Sequence, residues 1–145
     1  MARQSNHLPL VYSCSGCSSA AQTANTLALS LDRDGEAQMS CIAGVGADIP
    51  RFVRQATSGR PILALDGCPL ACVRESLKRH GVKPDRYLQL HEQGVKKRYG
   101  HDPEDVDVRR LYPRVVALAR EIRPDCDSRS MAAANGGDVT CGHRD

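Results

Sequence analysis

The chain has no tryptophan, a single phenylalanine (Phe52) and four tyrosines, so aromatic residues fill only 3% of its 145 positions. A core built from it must be aliphatic, and there are too few rings to stack bases as single-strand nucleic-acid binders do. Long apolar runs are also missing. None approaches the ~20 residues that a helix needs to cross a bilayer. Met1–Asn6 is polar, and the apolar patch Leu8–Tyr12 is too short for a signal-peptide core. These features predict a cytoplasmic protein with no membrane partner. Charge of one sign is scarce too, since 20 Lys and Arg against 17 Asp and Glu leave a net +3. The surplus falls in residues 74–124, where thirteen cations accompany eight anions. A bias this mild, without interleaved aromatics, reads as a solvated face and argues against nucleic acid.

Against these scarcities stand seven cysteines. That is many for an ordinary cytosolic enzyme and few for a small disulfide scaffold. The number is odd, and the spacings do not follow a secreted framework. In a reducing compartment, metal binding or thiol chemistry takes precedence over structural disulfides. The chain is also long enough for one domain that folds without staples.

Short apolar runs alternate with helical patterns, the signature of a parallel α/β layout. Leu8–Ser13 reads as a buried strand, followed by the small-residue turn Cys14–Ser19 and a helix from Ser19 to about Leu31. A second strand spans Ala37–Ile42, closed by Gly44 and Gly46, and Asp48 is placed to cap a helix running to Ala56. The third strand, Pro61–Leu65, is wholly apolar and ends in Asp66-Gly67-Cys68-Pro69, with Pro69 suited to a first helical turn. That helix runs to about His80, and a fourth strand covers Arg86–His91. A helical arm opens at Asp102 or Pro103 and keeps its spacing to Ile122. The expected architecture is a three-layer α/β sandwich in residues 1–124: a parallel sheet of about four strands with helices on both faces. From 125 to 145 the apolar period dissolves, which predicts a disordered tail holding Cys126 and Cys141.

In an open parallel sheet the loops after the strands share one edge, where ligands bind. Cys14 and Cys17 follow the first strand, Cys41 ends the second, and Cys68 follows the third. Cys72 is four residues past Cys68, one turn along the same expected helix. Five cysteines from three loops therefore converge on the C-terminal edge. A structural zinc ion takes four ligands in a tetrahedron, and cysteines two or three residues apart supply two from one loop. Cys17 and Cys68 also precede helices, where partial positive charge favours thiolates. Arg74, Lys96 and Lys97 are placed in sequence to offset the thiolate charge. A free cysteine is otherwise a small, often buried hydrophobe, which is the plain reading of any one of the five.

The run Asp66-Gly67-Cys68-Pro69-Leu70-Ala71-Cys72, closing an Ile-Leu-Ala-Leu strand, resembles the DGC-domain family of zinc-binding proteins. Tyr12-Ser13-Cys14-Ser15-Gly16 before a Gln-Thr-Ala-Asn helix, Met39-Ser40-Cys41-Ile42-Ala43-Gly44, and Gly94-Val95-Lys96-Lys97 fit the same pattern. The resemblance spans residues 8–120 or so. It implies Zn²⁺ as the cofactor, with Cys14, Cys41, Cys68 and Cys72 as ligands and Cys17 as the alternate. It implies no reaction, and it has no counterpart for Cys126 or Cys141.

Two other chemistries fit parts of the pattern. Cys68, five residues, then Arg74, set between a strand and a helix, is the layout of cysteine phosphatases and some arsenate reductases. Pro69 counts against it, because it lacks an N–H where an oxyanion cradle wants a donor, and so does the want of a glycine after the nucleophile. Cys14-Ser-Gly-Cys17 ahead of a helix is the arrangement of a thiol–disulfide redox pair. Lesser candidates are His91 as a ligand at the strand end, Gly44-Val-Gly46 as a phosphate approach, Asp66 as a cap or thiol partner, and Cys141-Gly-His143 as a weak metal site.

Overall fold

The structure is a computed structural model that describes residues 6–125. Its elements run β1 (Leu10–Ser13), α1 (Ser19–Arg33), β2 (Gln38–Met39), α2 (Ile42–Gly46), α3 (Pro50–Ala56), β3 (Ile62–Asp66), α4 (Cys72–Lys78), β4 (Arg86–Gln89), a 3-10 turn (Leu90–Gln93) and α5 (Asp105–Glu121). The four strands form one parallel sheet in the order β2-β1-β3-β4. The tail expected at 125–145, with Cys126, Cys141 and His143, lies outside the described residues beyond Asp125.

Burial explains the order. β1 and β3 are buried along their whole length, as a central parallel strand with helices on both faces must be. β2 and the start of β4 are less buried and take the edges. Right-handed crossovers place α1 on one face and α2, α3 and α4 on the other. α5 returns to pack on α1, while α2 packs on both α3 and α4. α1 turns Ala24, Leu27, Ala28 and Leu31 into the core, a spacing that keeps one face inward. The core is aliphatic as expected, with Tyr12 the one large ring that is fully buried.

From β1 the chain crosses to β2 on one side, then returns past β1 to β3 on the other. The loops after β1 and β3 therefore diverge onto opposite faces, and a crevice opens between them. Cys14 lies at one lip of this crevice and Gly67–Cys68 at the other.

Four local expectations are corrected. Gly44 and Gly46 do not close β2 in a turn but lie in the short helix α2. A Cβ on Gly44 would meet the Phe52 ring at 2.2 Å, so glycine is there to let α2 press against α3. No phosphate approach is built by Gly44-Val-Gly46. Asp48 does not cap α3; its backbone takes the left-handed conformation (φ 59) between α2 and α3. Its carboxylate instead accepts from Arg79 at 3.0 Å and pairs with His80 at 3.1 Å, while Pro50 opens α3. The helix after β3 starts at Cys72 and not at Pro69, because Ala71 is left-handed (φ 52, ψ 46) and interrupts it. Cys68 and Cys72 are thus not neighbours on one helix face. β4 also ends early, at Gln89, so His91 sits in the 3-10 turn.

Glu36, between α1 and β2, ties α5 to the rest of the fold. It accepts from Arg120 Nε at 3.0 Å and Nη2 at 2.7 Å, with Arg123 at 4.0 Å. The Arg120 hydrogen bonds hold its carboxyl below the ordinary value, against the opposing effect of burial. A carboxyl lowered in the fold adds stability above its unfolded value and loses it as pH falls through the folded one. Glu36→Gln is expected to cost about 0.5–1 kcal/mol at pH 7. The gap between variant and wild type should narrow as pH falls through the carboxylate range, as read by urea denaturation at neutral and acid pH.

Candidate functional site

Cys14 continues β1 by one residue. Its amide donates to Leu65 O at 3.1 Å, and its Sγ accepts from Gly67 N at 3.1 Å. Gly67 can come this close only because it has no side chain. A Cβ there would stand 2.6 Å from the carbonyl carbon and oxygen of Ala20, in the first turn of α1. Burial pushes the Cys14 thiol up to about 11; the Gly67 N–H opposes this, and the charges of Asp66, Cys72 and Cys68 add to it. Cys68 and Cys72 therefore both lie near enough to Cys14 for their charges to bear on it.

Asp66, the last residue of β3, is 1% exposed. Its carboxylate accepts from Val73 N at 2.9 Å and Arg74 N at 3.1 Å. It does for α4 what an N-cap side chain would do, since Ala71 at the cap position has none to offer. The Tyr87 hydroxyl donates to the same carboxylate at 3.1 Å. Burial, opposed by Gln89 and reinforced by Asp66, pushes this phenol up to about 12. Arg74 lays its guanidinium over the Tyr87 ring, 4.9 Å from the centroid. The reading of Asp66 as a helix cap thus holds, though it acts from six residues before the helix.

The other rim is the segment 96–99. Ser19 N donates to Arg98 O at 2.8 Å, Ser19 Oγ donates to Lys96 O at 2.9 Å, and Arg98 N donates back to Ser19 Oγ at 3.0 Å. This clamp fixes the basic segment against the start of α1. Lys97 Nζ then reaches Cys68 Sγ at 3.5 Å and lies 5.2 Å from the Tyr99 ring centroid.

Of the residues singled out from sequence, Cys14, Cys68, Cys72, Asp66 and Lys97 come together at the crevice. Cys41 is exposed, and its Sγ accepts from Gly44 N at 3.4 Å as the cap of α2. It lines a shallow cleft at the β2 edge with Met39, Phe52 and Gln55, and its charge bears on Tyr12. Cys17 is exposed in the loop before α1. Arg74 is taken up by Tyr87, and Lys96 contributes its carbonyl to Ser19. His91 lines a second cleft with Gly94, Val95 and residues 96–98. All five described cysteines are free thiols. Among the described residues, no three Cys, His, Asp or Glu side chains stand in a geometry that could hold a metal ion.

Four of the backbone donors around Cys68 are already committed. Gly67 N goes to Cys14, Ala71 N to Cys68 O at 3.1 Å, and Val73 N and Arg74 N to Asp66. With Pro69 lacking a donor, too few amides remain to cradle an oxyanion as a phosphatase loop does. Sequence reasoning missed the Ser19 clamp and Tyr87. A Ser-Ser pair before an apolar period signals a helix start, but nothing local marks Tyr87, whose role comes from the β3–β4 register.

An open parallel α/β domain with thiols gathered where its strand order reverses defines the class. The chain belongs to the DGC domain family, whose model matches residues 10–115. It is 62% identical over 117 residues to the anaerobic and virulence modulator AnvM of Pseudomonas aeruginosa, a match covering 81% of this chain and 87% of that protein. No solved structure matches it. Among the described residues, no helix is long and apolar enough to cross a membrane.

Burial should make Cys14 the slowest thiol in metal-free protein. At pH 8 its alkylation is expected to trail that of the exposed Cys17, Cys41 and Cys72 by about a hundredfold, as read by mass spectrometry. Because its folded value is raised, the stability it contributes is present below the ordinary thiol range and lost as pH climbs from 9.0 to about 11. Thermal melts across that window should fall less steeply for Cys14→Ala than for wild type.

Proposed function

We propose that this protein is a zinc-binding regulator whose metal is held by Cys14, Cys41, Cys68 and Cys72, with Cys17 as alternate ligand. The observation that carries the reading is the grouping of Cys14, Cys68 and Cys72 at the crevice with the Lys97 ammonium on Cys68. The donor set fits the ion: thiolates suit Zn²⁺, which binds them at about 2.3 Å, and a nearby cation offsets the surplus negative charge. Cys41 lies two residues past β2, the strand beside β1, at the same end of the sheet, while Cys17 follows Cys14 in an exposed loop. Side-chain rotation must bring the sulfurs inward, as no three are in ligand geometry beforehand. Bound there, zinc would cross-link the loops after β1, β2 and β3 and keep their thiols ionised.

This chain's own residues set the conditions. Cys14 must give up its proton to become a ligand, and its raised value makes metal uptake weaken as pH falls. Asp66 and Gly67 place the β3 loop, and Lys97 offsets charge at Cys68. The regulatory part of the proposal rests on the relative described as an anaerobic and virulence modulator. Thiols that bind metal when reduced also respond to oxidants, which suits such a role in a reducing compartment.

Metal content and free-thiol count on freshly purified protein test the reading. About one zinc per chain is expected, lost in Cys14→Ser and Cys68→Ser. Less than about half an equivalent in wild type, with both variants unchanged, overturns it. A Cys14–Cys17 disulfide that forms under mild oxidant and reverses with dithiothreitol would mark a redox pair instead.

A further inference from the structure

The cleft along residues 91–98 has no part in the zinc reading, and its charge is one-sided. It measures about 520 Å³, and His91, Lys96, Lys97 and Arg98 line it with no carboxylate among its walls. That volume suits a small molecule. Arg98 has Glu104 at 3.6 Å, but among the described residues neither Lys96 nor Lys97 has a carboxylate within ion-pair distance. The wall is fixed by the fold itself. Ser19 holds the carbonyls of Lys96 and Arg98, Val95 N donates to Leu90 O at 3.1 Å, and Arg110 Nη2 donates to Gln93 O at 2.8 Å. A preset array of cations points to an anionic ligand. Lys97 belongs to both regions, since it lines the cleft and its Nζ stands 3.5 Å from Cys68 Sγ. Cys68 is only partly buried, so a ligand seated on the lysines can reach its sulfur without any opening of the fold.

We propose that this basic cleft binds a low-molecular-weight disulfide carrying carboxylates and delivers it to Cys68, which makes Cys68 the chain's site of S-thiolation. The cations hold the carboxylates, and Lys97 brings the anion to the thiol it contacts. In the step, the Cys68 thiolate attacks one sulfur of the disulfide. A bond forms between Cys68 and that sulfur, and the ligand's own S–S bond breaks. The Cys68 sulfur is oxidised and the departing half leaves as a reduced thiolate. The proton shed by Cys68 passes through water to that thiolate. No metal takes part, so the inference goes beyond the zinc reading and stands without it. Exposure alone would favour Cys17 and Cys72 over Cys68. The cleft shifts the balance towards Cys68, and only for an anionic reagent.

The test compares glutathione disulfide, which is net negative, with the neutral disulfide of mercaptoethanol, on the full chain stripped of metal by a chelator. Peptide mapping by mass spectrometry gives the initial rates of adduct formation at Cys68 and of thiol loss at Cys17. The anionic-to-neutral rate ratio is expected to be about tenfold higher at Cys68 than at Cys17 in dilute buffer. In Lys96→Glu, and in wild type at about 0.5 M salt, that excess should fall about fivefold. Lys97 is the residue that contacts Cys68, and Lys96 meets Ser19 through its carbonyl, so Lys96→Glu changes the charge of the cleft and not its framework. The neutral disulfide reports any change in Cys68 itself, and the ratio cancels it. Equal ratios at the two thiols in wild type overturn the inference, as does an excess at Cys68 that Lys96→Glu or salt leaves unchanged. Should Lys96→Glu melt well below wild type, Lys96→Gln is read in its place, with a fall of about threefold expected and an unchanged excess overturning the inference. Zinc found or missing in the purified protein decides the zinc reading and leaves this result unaffected.

Discussion

The backbone at Gly67 lies so close to the first turn of α1 that no side chain fits between them. This contact joins the two central strands at the point where the sheet reverses its winding. It brings Gly67 N to the Cys14 sulfur, and it delivers Cys68, Pro69 and the start of α4 at a fixed distance from the β1 loop. A larger residue would push α1 off the sheet or lift the β3 loop, and either movement separates the thiols. The cost of such overpacking is of order 1–3 kcal/mol in a close-packed interior, a sizeable share of a small domain's stability.

Around that contact the electrostatics are divided between protecting thiols and gathering them. Burial keeps Cys14 protonated, and the neighbouring acid and thiols deepen the effect. Lys97, placed by the Ser19 clamp, brings a cation to within 3.5 Å of the Cys68 sulfur. The buried Asp66 carboxylate is held in place by two amides and a phenol. The result is a crevice in which one thiol is shielded by burial while Cys68 has a cation beside it.

The basic surplus of residues 74–124 has a structural use. Arg79, Arg86, Arg110 and Arg120 each pair with an acid, Arg98 stands 3.6 Å from Glu104, and Arg74 covers a tyrosine. Several of these pairs join elements far apart in sequence, such as Arg86 with Glu121 and Arg120 with Glu36. Exposed pairs contribute little singly, but they fasten α5 to the sheet, and they leave a mosaic surface in place of a cationic track.

By itself the sequence determined the parallel α/β layout, because apolar periods of strand and helix, broken by glycine and proline, are local signals. Cysteines following strands were legible for the same reason, as was the cap role of Asp66. Less was readable where a residue's purpose is long-range. Gly44 looks like a turn residue until Phe52 is packed on it, and Asp48 looks like a cap until Arg79 and His80 claim it. The helix after β3 starts three residues late because Ala71 is forced left-handed by the loop that seats Cys68. Only the tertiary structure decided which thiols meet, setting Cys14 with Cys68 and Cys72 while Cys41 caps α2 beside the β2 edge. The reason is strand order. Placing β1 between β2 and β3 makes neighbours of Cys14 and Gly67, 53 residues apart, and no local pattern encodes that choice.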